Sequence, residues 1–277
     1  METETKDLKY FLEKYGIKLK KRLGQNFLVD KNIIQKEVAL AQIKPDETLL
    51  EIGPGVGFLT RELLKYAKKV VAIEMDKNLA EILEKELPDK KLEVICADAL
   101  QIDFPEFDKC VSNIPYEVSS KIILKLGKLR KPAVLIMQKE FAERLAAKPG
   151  EREYSKISVM SQYYFDSGIL HIVSKKSFFP APKVDSAIVR LTPKHADLKK
   201  SLGISDEEFF LKIIHALFQH KNMTVRNALI HSRNEFGFEK DTAKKIAENI
   251  SLKDAKVRTL DLAMLAKVAK EIKKHEV

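Results

Sequence analysis

A regular alternation of two sequence patterns between residues 48 and 147 constrains the fold of this chain more than any other feature. Short apolar runs, typical of buried strands, alternate with stretches in which apolar side chains recur at helical spacing. Strands that alternate with helices in this way form a parallel sheet covered on both faces. The predicted strands are residues 48–52, 70–73, 92–96, 107–111 and 133–138.

The pattern changes after a loop at residues 148–152. Longer β-like runs follow at residues 158–165, 169–173 and 187–191, and Gly168 is expected to turn the first two into a hairpin. From Ser205 onward apolar residues again recur at helical spacing, which predicts a small helical domain. We therefore expect an α/β fold with a small C-terminal all-helical domain, divided into a basic N-terminal arm (1–23), an α/β domain (24–193) and a helical domain (194–277).

A glycine-rich turn, EIGPGVG at residues 51–57, lies between the first predicted strand and a helix. Gly53 and Gly55 would allow a tight turn and a close approach of the backbone to a ligand. A dinucleotide site needs the spacing Gly-x-Gly-x-x-Gly, so that a pyrophosphate rests on the helix N-terminus. Here the third glycine comes one residue early, and Pro54 removes a donor N–H. Both features favour a ligand without a phosphate.

Two acidic residues follow the next strands at the edge where parallel sheets bind ligands. Glu74 ends the second strand and can accept hydrogen bonds from both hydroxyls of a ribose, and Asp98 follows the third strand and can accept from an adenine amino group. Together with the glycine turn they predict a site for S-adenosylmethionine. Taken singly, each acid is as readily a solvated loop carboxylate. An unspecific strand–helix connection is the less favoured alternative for the glycine turn.

The turn Asn113-Ile114-Pro115-Tyr116 follows the fourth strand. It offers an amide oxygen, a backbone carbonyl on a residue without an N–H, and a flat aromatic face. These three groups suit the edge and face of a nucleobase that carries an exocyclic amine.

The formal net charge of +10 favours a polyanionic partner, either nucleic acid or an anionic membrane. The arm carries Lys18, Lys20 and Lys21, and no acid occurs between Glu208 and Glu235. Lys221 and Arg226 in that second stretch are the candidate RNA contacts. A lysine-rich solvated surface is the plainer interpretation of both segments.

Several functional classes are disfavoured. Cys96 and Cys110 lie in separate apolar runs, the six histidines are scattered, and no metal site is predicted. The first twenty residues contain no apolar signal core, and no apolar run is long enough to cross a bilayer. We expect a soluble, cytoplasmic protein with no membrane partner.

Five motifs resemble, in the same order, those of the ribosomal RNA adenine N6,N6-dimethyltransferase family. They are GQNFL (24–28), EIGPGVG (51–57), DAL (98–100), NIPY (113–116) and FFPAPKVDS (178–186). The resemblance covers nearly the whole chain. It implies a Rossmann-like class I methyltransferase sheet, S-adenosylmethionine as the cofactor and a small helical domain that binds RNA.

The resemblance also implies roles for individual residues. Asn26 and Leu28 would contact the methionine end of the cofactor, with Gly53 and Gly55 close to it, Glu74 at the ribose, Asp98 at the adenine, and Asn113 touching both cofactor and target amine. Tyr116 would stack on one face of the target base and Phe178, or alternatively Phe179, on the other. The Asn113 side-chain oxygen and the Pro115 carbonyl are expected to accept the two N6 hydrogens.

The resemblance implies methyl transfer to N6 of two adjacent adenosines in a 3′-end loop of small-subunit rRNA. The expected product is N6,N6-dimethyladenosine, made by a monomer on immature small ribosomal subunits during ribosome biogenesis. Two alternatives remain open: a large-subunit rRNA adenine methyltransferase, and an assembly factor that binds pre-rRNA with methylation secondary. A nicotinamide dehydrogenase is disfavoured by the glycine spacing, and a DNA adenine methyltransferase by residues 178–186.

Overall fold

Nine strands form the β-structure of the computed structural model, which describes residues 2–17, 26–194 and 198–275. They are β1 (Phe27–Leu28), β2 (Thr48–Ile52), β3 (Lys69–Glu74), β4 (Leu92–Cys96), β5 (Lys109–Asn113), β6 (Ala133–Gln138), β7 (Phe165–Val173), β8 (Phe178–Phe179) and β9 (Ser186–Pro193). Seven of them form one sheet in the order β4-β3-β2-β5-β6-β9-β7, and β1 pairs with β8 in a two-stranded sheet.

Helices connect the strands of the first half and make up most of the second half. They are α1 (Glu2–Lys14), α2 (Lys31–Ala41), α3 (Phe58–Leu63), α4 (Lys77–Glu86), α5 (Ser119–Leu129), α6 (Lys139–Ala146), α7 (Lys156–Tyr164), α8 (Leu198–Ser201), α9 (Glu207–Phe218), α10 (Val225–His231), α11 (Lys240–Asn249) and α12 (Leu262–Lys273). Side chains cap several of them: Asp30 caps α2, Asp76 caps α4 and Thr224 caps α10.

The five strands β4, β3, β2, β5 and β6 run parallel, as the alternation of patterns predicts, and β9 pairs antiparallel with β6. Helices pack on the central strands: α2 contacts β5 and β6, and α4 contacts β3 and β4. In β3 the side chains of Val70, Val71, Ala72 and Ile73 are at most 1% exposed. Parallel pairing brings the carboxyl ends of β2, β3, β4 and β5 to one edge of the sheet.

The chain separates into two compact units. One comprises Met1–Ala142 and Ser167–Pro193, and the other comprises Glu143–Asp166 and Lys194–Val277. The sequence placed residues 143–166 in the α/β domain, and the structure corrects this placement. The Tyr154 hydroxyl donates to the Leu260 carbonyl (2.9 Å), and the rings of Tyr163 and Phe210 lie 5.5 Å apart. These aromatic side chains belong to the core of the mainly helical unit.

The predicted strand at residues 158–165 is wrong, and so is the hairpin. Residues Lys156–Tyr164 form α7, whose first turn is closed by the Ser158 hydroxyl accepting from Ser155 N–H (2.9 Å). The β-branched and aromatic residues that mimic a strand are instead the buried face of this helix, so packing overrides local propensity. Gly168 lies within the single strand β7 rather than in a turn.

The N-terminal helix α1 packs on the α/β unit. Leu8 is fully buried and Leu12 is 9% exposed, in a cluster with Phe27, Val56 and Leu79. The N-terminal arm therefore contains a helix that packs against this unit. The three lysines noted in the arm, Lys18, Lys20 and Lys21, lie outside the described residues.

Removing the Leu8 side chain tests whether α1 belongs to the folded unit. Leu8→Ala is expected to lower the free energy of unfolding by about 2 kcal/mol or more, because it leaves a cavity in the cluster. Urea unfolding measures the loss. Tyr10, on the same helix and 69% exposed, supplies the matched control Tyr10→Ala, which should change stability by about 0.5 kcal/mol at most. Equal losses in the two variants would contradict the packing of α1.

Candidate active site

A cleft opens at the carboxyl edge of the parallel strands, within the α/β unit. Its wall includes the residues that follow β2, β3, β4 and β5, together with β1. Among the residues lining it are all the predicted cofactor ligands: Asn26, Leu28, Gly53, Gly55, Glu74, Asp98 and Asn113. Pro115 and Tyr116 line it as well, whereas Phe178 does not. The cleft therefore assembles side chains that are far apart in the sequence.

The glycine turn forms the floor of the cleft, and its geometry requires glycine. Gly53 and Gly55 have φ angles of +72° and +58°, in the left-handed region that side chains with a Cβ rarely adopt. A Cβ on Gly55 would lie 2.8 Å from the Phe27 ring. The main chain can thus pass close to β1 only because this residue has no side chain.

Glu74 links the end of β3 to the glycine turn. Its Oε2 accepts from Gly55 N–H (3.0 Å), and its Oε1 accepts from Asp76 N–H (2.9 Å). Burial raises the pKa of this carboxyl, and the two backbone hydrogen bonds oppose the rise. Each carboxylate oxygen has two lone pairs, so both can still accept a further hydrogen bond from a ligand.

The loop after β4 carries Asp98, which lines the cleft. Asp98 is half-buried, and its Oδ1 accepts from Leu100 N–H (2.8 Å). Lys125 fixes the same loop by donating to the carbonyls of Ala99 (2.9 Å) and Ile102. The Asp98 carboxylate is therefore held in place as an acceptor.

Asn113 ends β5, and a backbone contact orients its amide. The Nδ2 group donates to the carbonyl of Asn26 (3.4 Å). In this orientation the amide oxygen is the group left to accept hydrogen bonds in the cleft. The residue thus lies between the segment at Asn26 and the turn that follows β5.

The structure contradicts the expected use of the Pro115 carbonyl. This oxygen already accepts from Val118 N–H (3.2 Å) and from the Ser119 hydroxyl (3.2 Å), which together occupy its two lone pairs. The neighbouring residue Ile114 also lines the cleft, and its carbonyl accepts no hydrogen bond from the described residues. Ile114 therefore offers the available backbone acceptor beside Asn113.

A hydrogen bond to a distant strand holds Tyr116. Its hydroxyl lies 2.7 Å from the Ser186 hydroxyl at the start of β9. The ring is half-buried, and burial raises the pKa of the phenol. Ser186, the last residue of the FFPAPKVDS motif, was not predicted to have a role of its own. Its position at the end of that motif is the sequence feature that could have indicated a role for it.

Phe178 is not placed to stack on a base, which corrects the sequence expectation. It is 3% exposed and packs in the apolar core with Leu28 and Ile34. Phe178 and Phe179 form β8, where they pair with Leu28 and Phe27 respectively. Because side chains alternate along a strand, Phe178 points into the core and leaves Phe179 half-buried.

Glu51 is a cleft residue for which the sequence suggested no role. It is 2% exposed, and its Oε2 has no hydrogen-bond partner among the described residues. Burial raises the pKa of its carboxyl to about 8. Glu37 on α2 is fully buried, and the Glu51 charge adds to the burial that raises its pKa well above 4.5. A cationic ligand group beside Glu51 would favour its ionised form.

The predicted RNA-binding residues of the helical unit are engaged within that unit. Arg226 forms ion pairs with Glu248 (2.9 Å) and Asp254 (3.0 Å). Lys221 donates to the carbonyls of Arg152 (3.0 Å) and Tyr154 (2.9 Å). Their contact with RNA stays a prediction, and these partners would compete with it.

In residues 2–17, 26–194 and 198–275 no helix is both long and apolar enough to span a bilayer. The same ranges contain no group of three or more His, Cys, Asp or Glu side chains that could hold a metal ion.

A sequence profile of the family described as "Ribosomal RNA adenine dimethylase" matches residues 16–270. The chain belongs to this family. The match spans both structural units, so it includes the cleft and most of the helical unit. It confirms the predicted family and enzyme class, and class I methyltransferases of this kind use S-adenosylmethionine.

Individual relatives agree with the family assignment. Two proteins named "Probable ribosomal RNA small subunit methyltransferase A" are similar along most of their lengths. The one from Methanopyrus kandleri is 43% identical over 88% of this chain and 87% of its own, and the one from Pyrococcus abyssi is 39% identical over 97% of both.

Solved structures confirm the α/β methyltransferase fold. A dimethyladenosine transferase from Plasmodium falciparum has a TM-score of 0.72 and 32% identity, over 89% of this chain and 97% of its own. The 23S rRNA methyltransferase ErmE has a TM-score of 0.62 and 26% identity, over 90% of this chain and 100% of its own.

The raised pKa of Glu51 predicts how the stability of the ligand-free protein depends on pH. The unfolded chain ionises this carboxyl near 4.5, whereas the folded chain keeps its proton up to about 8. Its contribution to stability is therefore full at low pH and is lost as the pH rises from about 5 to 8. Glu51→Gln should remove this pH-dependent loss, which lowers the free energy of unfolding by at most about 4 kcal/mol between pH 5 and 8.

Urea unfolding without cofactor, at pH 5, 6.5 and 8, measures this difference. Glu117→Gln is the matched control, because Glu117 lines the same cleft but is exposed. The control should keep the wild-type slope. If Glu51→Gln showed the same pH dependence of unfolding as the wild type, the raised pKa of Glu51 would be wrong.

Proposed function

We propose that this enzyme transfers methyl groups from S-adenosylmethionine to N6 of two adjacent adenosines in a 3′-end loop of small-subunit rRNA. The product is N6,N6-dimethyladenosine, formed on immature small ribosomal subunits by a monomer during ribosome biogenesis. One observation carries the proposal: the oriented amide of Asn113, with Tyr116 beside it, lies in the same cleft as Glu74 and Asp98.

The chain's own groups fit the cofactor. Gly53 and Gly55 line the cleft without side chains, Glu74 keeps lone pairs for the ribose hydroxyls, and Asp98 accepts from the adenine amino group. Glu51 presents a buried, unpaired oxygen suited to a positively charged group. When bound, S-adenosylmethionine supplies a methyl group activated by a positively charged sulfur.

The target amine is held by two acceptors. Adenine N6 is a poor nucleophile because its lone pair is delocalised into the ring. In this proposal the Asn113 amide oxygen and the Ile114 carbonyl each accept one N6 hydrogen. The nitrogen is drawn toward tetrahedral geometry, which frees its lone pair to take the methyl group. The methylated ammonium is acidic enough to lose its proton to water, so positioning replaces a strong base. The Ile114 carbonyl takes the place first expected for that of Pro115, which has two donors already.

Tyr116 provides the stacking surface for the base. A base in a single-stranded loop can leave its neighbours at little cost and stack on an aromatic side chain. The Ser186 hydroxyl holds the ring in place by its hydrogen bond to the phenol. Stacking by Phe178 would require its ring to leave the apolar core, so this proposal assigns the base to Tyr116.

A large-subunit rRNA target is the second candidate, because the 23S rRNA methyltransferase ErmE has a similar fold that covers 90% of this chain. The relatives named as small-subunit enzymes are 39–43% identical to this chain, whereas ErmE is 26% identical. This difference favours the small subunit. An assembly factor with secondary catalysis is less favoured, because the polar groups needed for transfer are all present in the cleft.

Labelled S-adenosylmethionine tests the substrate. Incubation of the protein with small subunits that lack the modification, followed by mapping of the labelled bases, should give dimethyladenosine at two adjacent positions near the 3′ end of the rRNA. Unmodified large subunits serve as the comparison. Label on large-subunit rRNA alone would replace this proposal with the second candidate, and binding without transfer would favour the assembly factor.

Substitution of Tyr116 tests the stacking role. Tyr116→Ala should lower kcat/KM for the subunit by about 10–100-fold, since each stacked base contributes about 1–3 kcal/mol. Affinity for S-adenosylmethionine, measured by calorimetry, should be unchanged. Tyr116→Phe keeps the ring and is the matched control, which should retain most of the activity. An equal fall in cofactor affinity would show that Tyr116 has been assigned the wrong role.

A further inference from the structure

Residues 174–186, here called the rim segment, border the cleft at two points. Within the segment, β8 pairs with β1, whose residues Phe27 and Leu28 line the cleft. At its end the Ser186 hydroxyl bonds Tyr116. The rim segment therefore lies beside the surface on which the target base is proposed to stack.

Hydrogen bonds fix the main chain of the rim segment. The Ser177 carbonyl accepts from Val29 N–H (2.9 Å), and its hydroxyl donates to Asp30 Oδ2 (3.0 Å). Lys175 N–H donates to Asp185 Oδ1 (2.9 Å), which closes the segment on itself. Asp185 thus accepts from a backbone N–H of the segment, and Asp30 accepts from its Ser177 hydroxyl. Neither acid is paired with a lysine side chain of the segment.

Three lysines project from this fixed backbone. Lys175, Lys176 and Lys183 are exposed, and none forms an ion pair with any residue that the structure describes. This distinguishes them from Arg226, which has two acidic partners, and from Lys221, which has two carbonyl partners. The rim segment presents three positive charges that internal contacts leave available.

Building on the function proposed above, we propose that Lys175, Lys176 and Lys183 bind the phosphates that flank the target adenosine. Lys176 is two residues from Phe178, and Lys183 is three from Ser186, so they lie at most about 7 Å and 11 Å along the chain from residues that contact the cleft wall. A base held in the cleft keeps its own phosphate and the neighbouring ones near that border. Such contacts position the strand without reading its sequence.

Replacing the three lysines together tests the inference. The rim variant carries Lys175→Gln, Lys176→Gln and Lys183→Gln. The matched control carries Lys68→Gln, Lys90→Gln and Lys128→Gln, which are also exposed lysines of the α/β unit but precede β3, β4 and β6 at the opposite edge of the sheet. Both variants lose three charges. Steady-state methyl transfer to unmodified small subunits is measured over a range of salt concentrations.

The rim variant should have a KM for the subunit raised about tenfold or more, with kcat at saturation and affinity for S-adenosylmethionine within about twofold of wild type. The dependence of log kcat/KM on log salt concentration should become shallower by about 2, as expected when two or three phosphate contacts are lost. The control should match the wild type in both measurements.

Three outcomes would overturn the inference: a rim variant with wild-type KM, an equal loss in the control, or a raised KM with an unchanged salt dependence. The last result would indicate contact with a ribosomal protein rather than with phosphates. A wild-type protein that transfers no methyl group to small subunits would refute the proposed function itself. An active wild type with an unaffected rim variant would refute the phosphate contacts alone.

Discussion

The hydrogen bond from Gly55 N–H to the Glu74 carboxylate is the interaction on which the cleft depends. It joins the turn after β2 to the end of β3, and the missing Cβ of Gly55 lets the Phe27 ring close over the same turn. The turn after β2, the end of β3 and β1 therefore form one continuous part of the cleft wall. The carboxylate is buried yet stable as an acceptor because backbone donors satisfy it, and lone pairs remain for a ligand.

The groups proposed to hold the target are positioned in the same way, by partners far away in the chain. Asn26 orients the amide of Asn113, and Ser186 holds the hydroxyl of Tyr116. A mechanism that relies on positioning rather than on acid–base chemistry needs such support, because small displacements of the acceptors are costly. The FFPAPKVDS motif contributes to this support: Phe178 packs in the core, while Ser186 contacts Tyr116.

Net charge alone is a poor guide to where a polyanion binds. The chain carries a charge of +10, but the cations first singled out in the helical unit have partners within it. A lysine that donates to two carbonyls is engaged by its own unit, and an arginine between two carboxylates has its charge partly offset. The lysines of the rim segment differ in being exposed on a fixed backbone beside the cleft.

The sequence by itself determined the parallel sheet, the glycine turn and the residues that line the cleft. The alternation of patterns predicts the strands, and the carboxyl ends of parallel strands must meet at one edge. Only the tertiary structure decided that residues 156–164 form a helix, that Phe178 is buried, and that donors occupy the Pro115 carbonyl. Each of these depends on which groups the folded chain brings into contact, such as Phe210 against α7 or Leu28 against β8. A local sequence pattern indicates whether a segment is a helix or a strand and which chemical groups it bears. It does not indicate which distant residues those groups will contact.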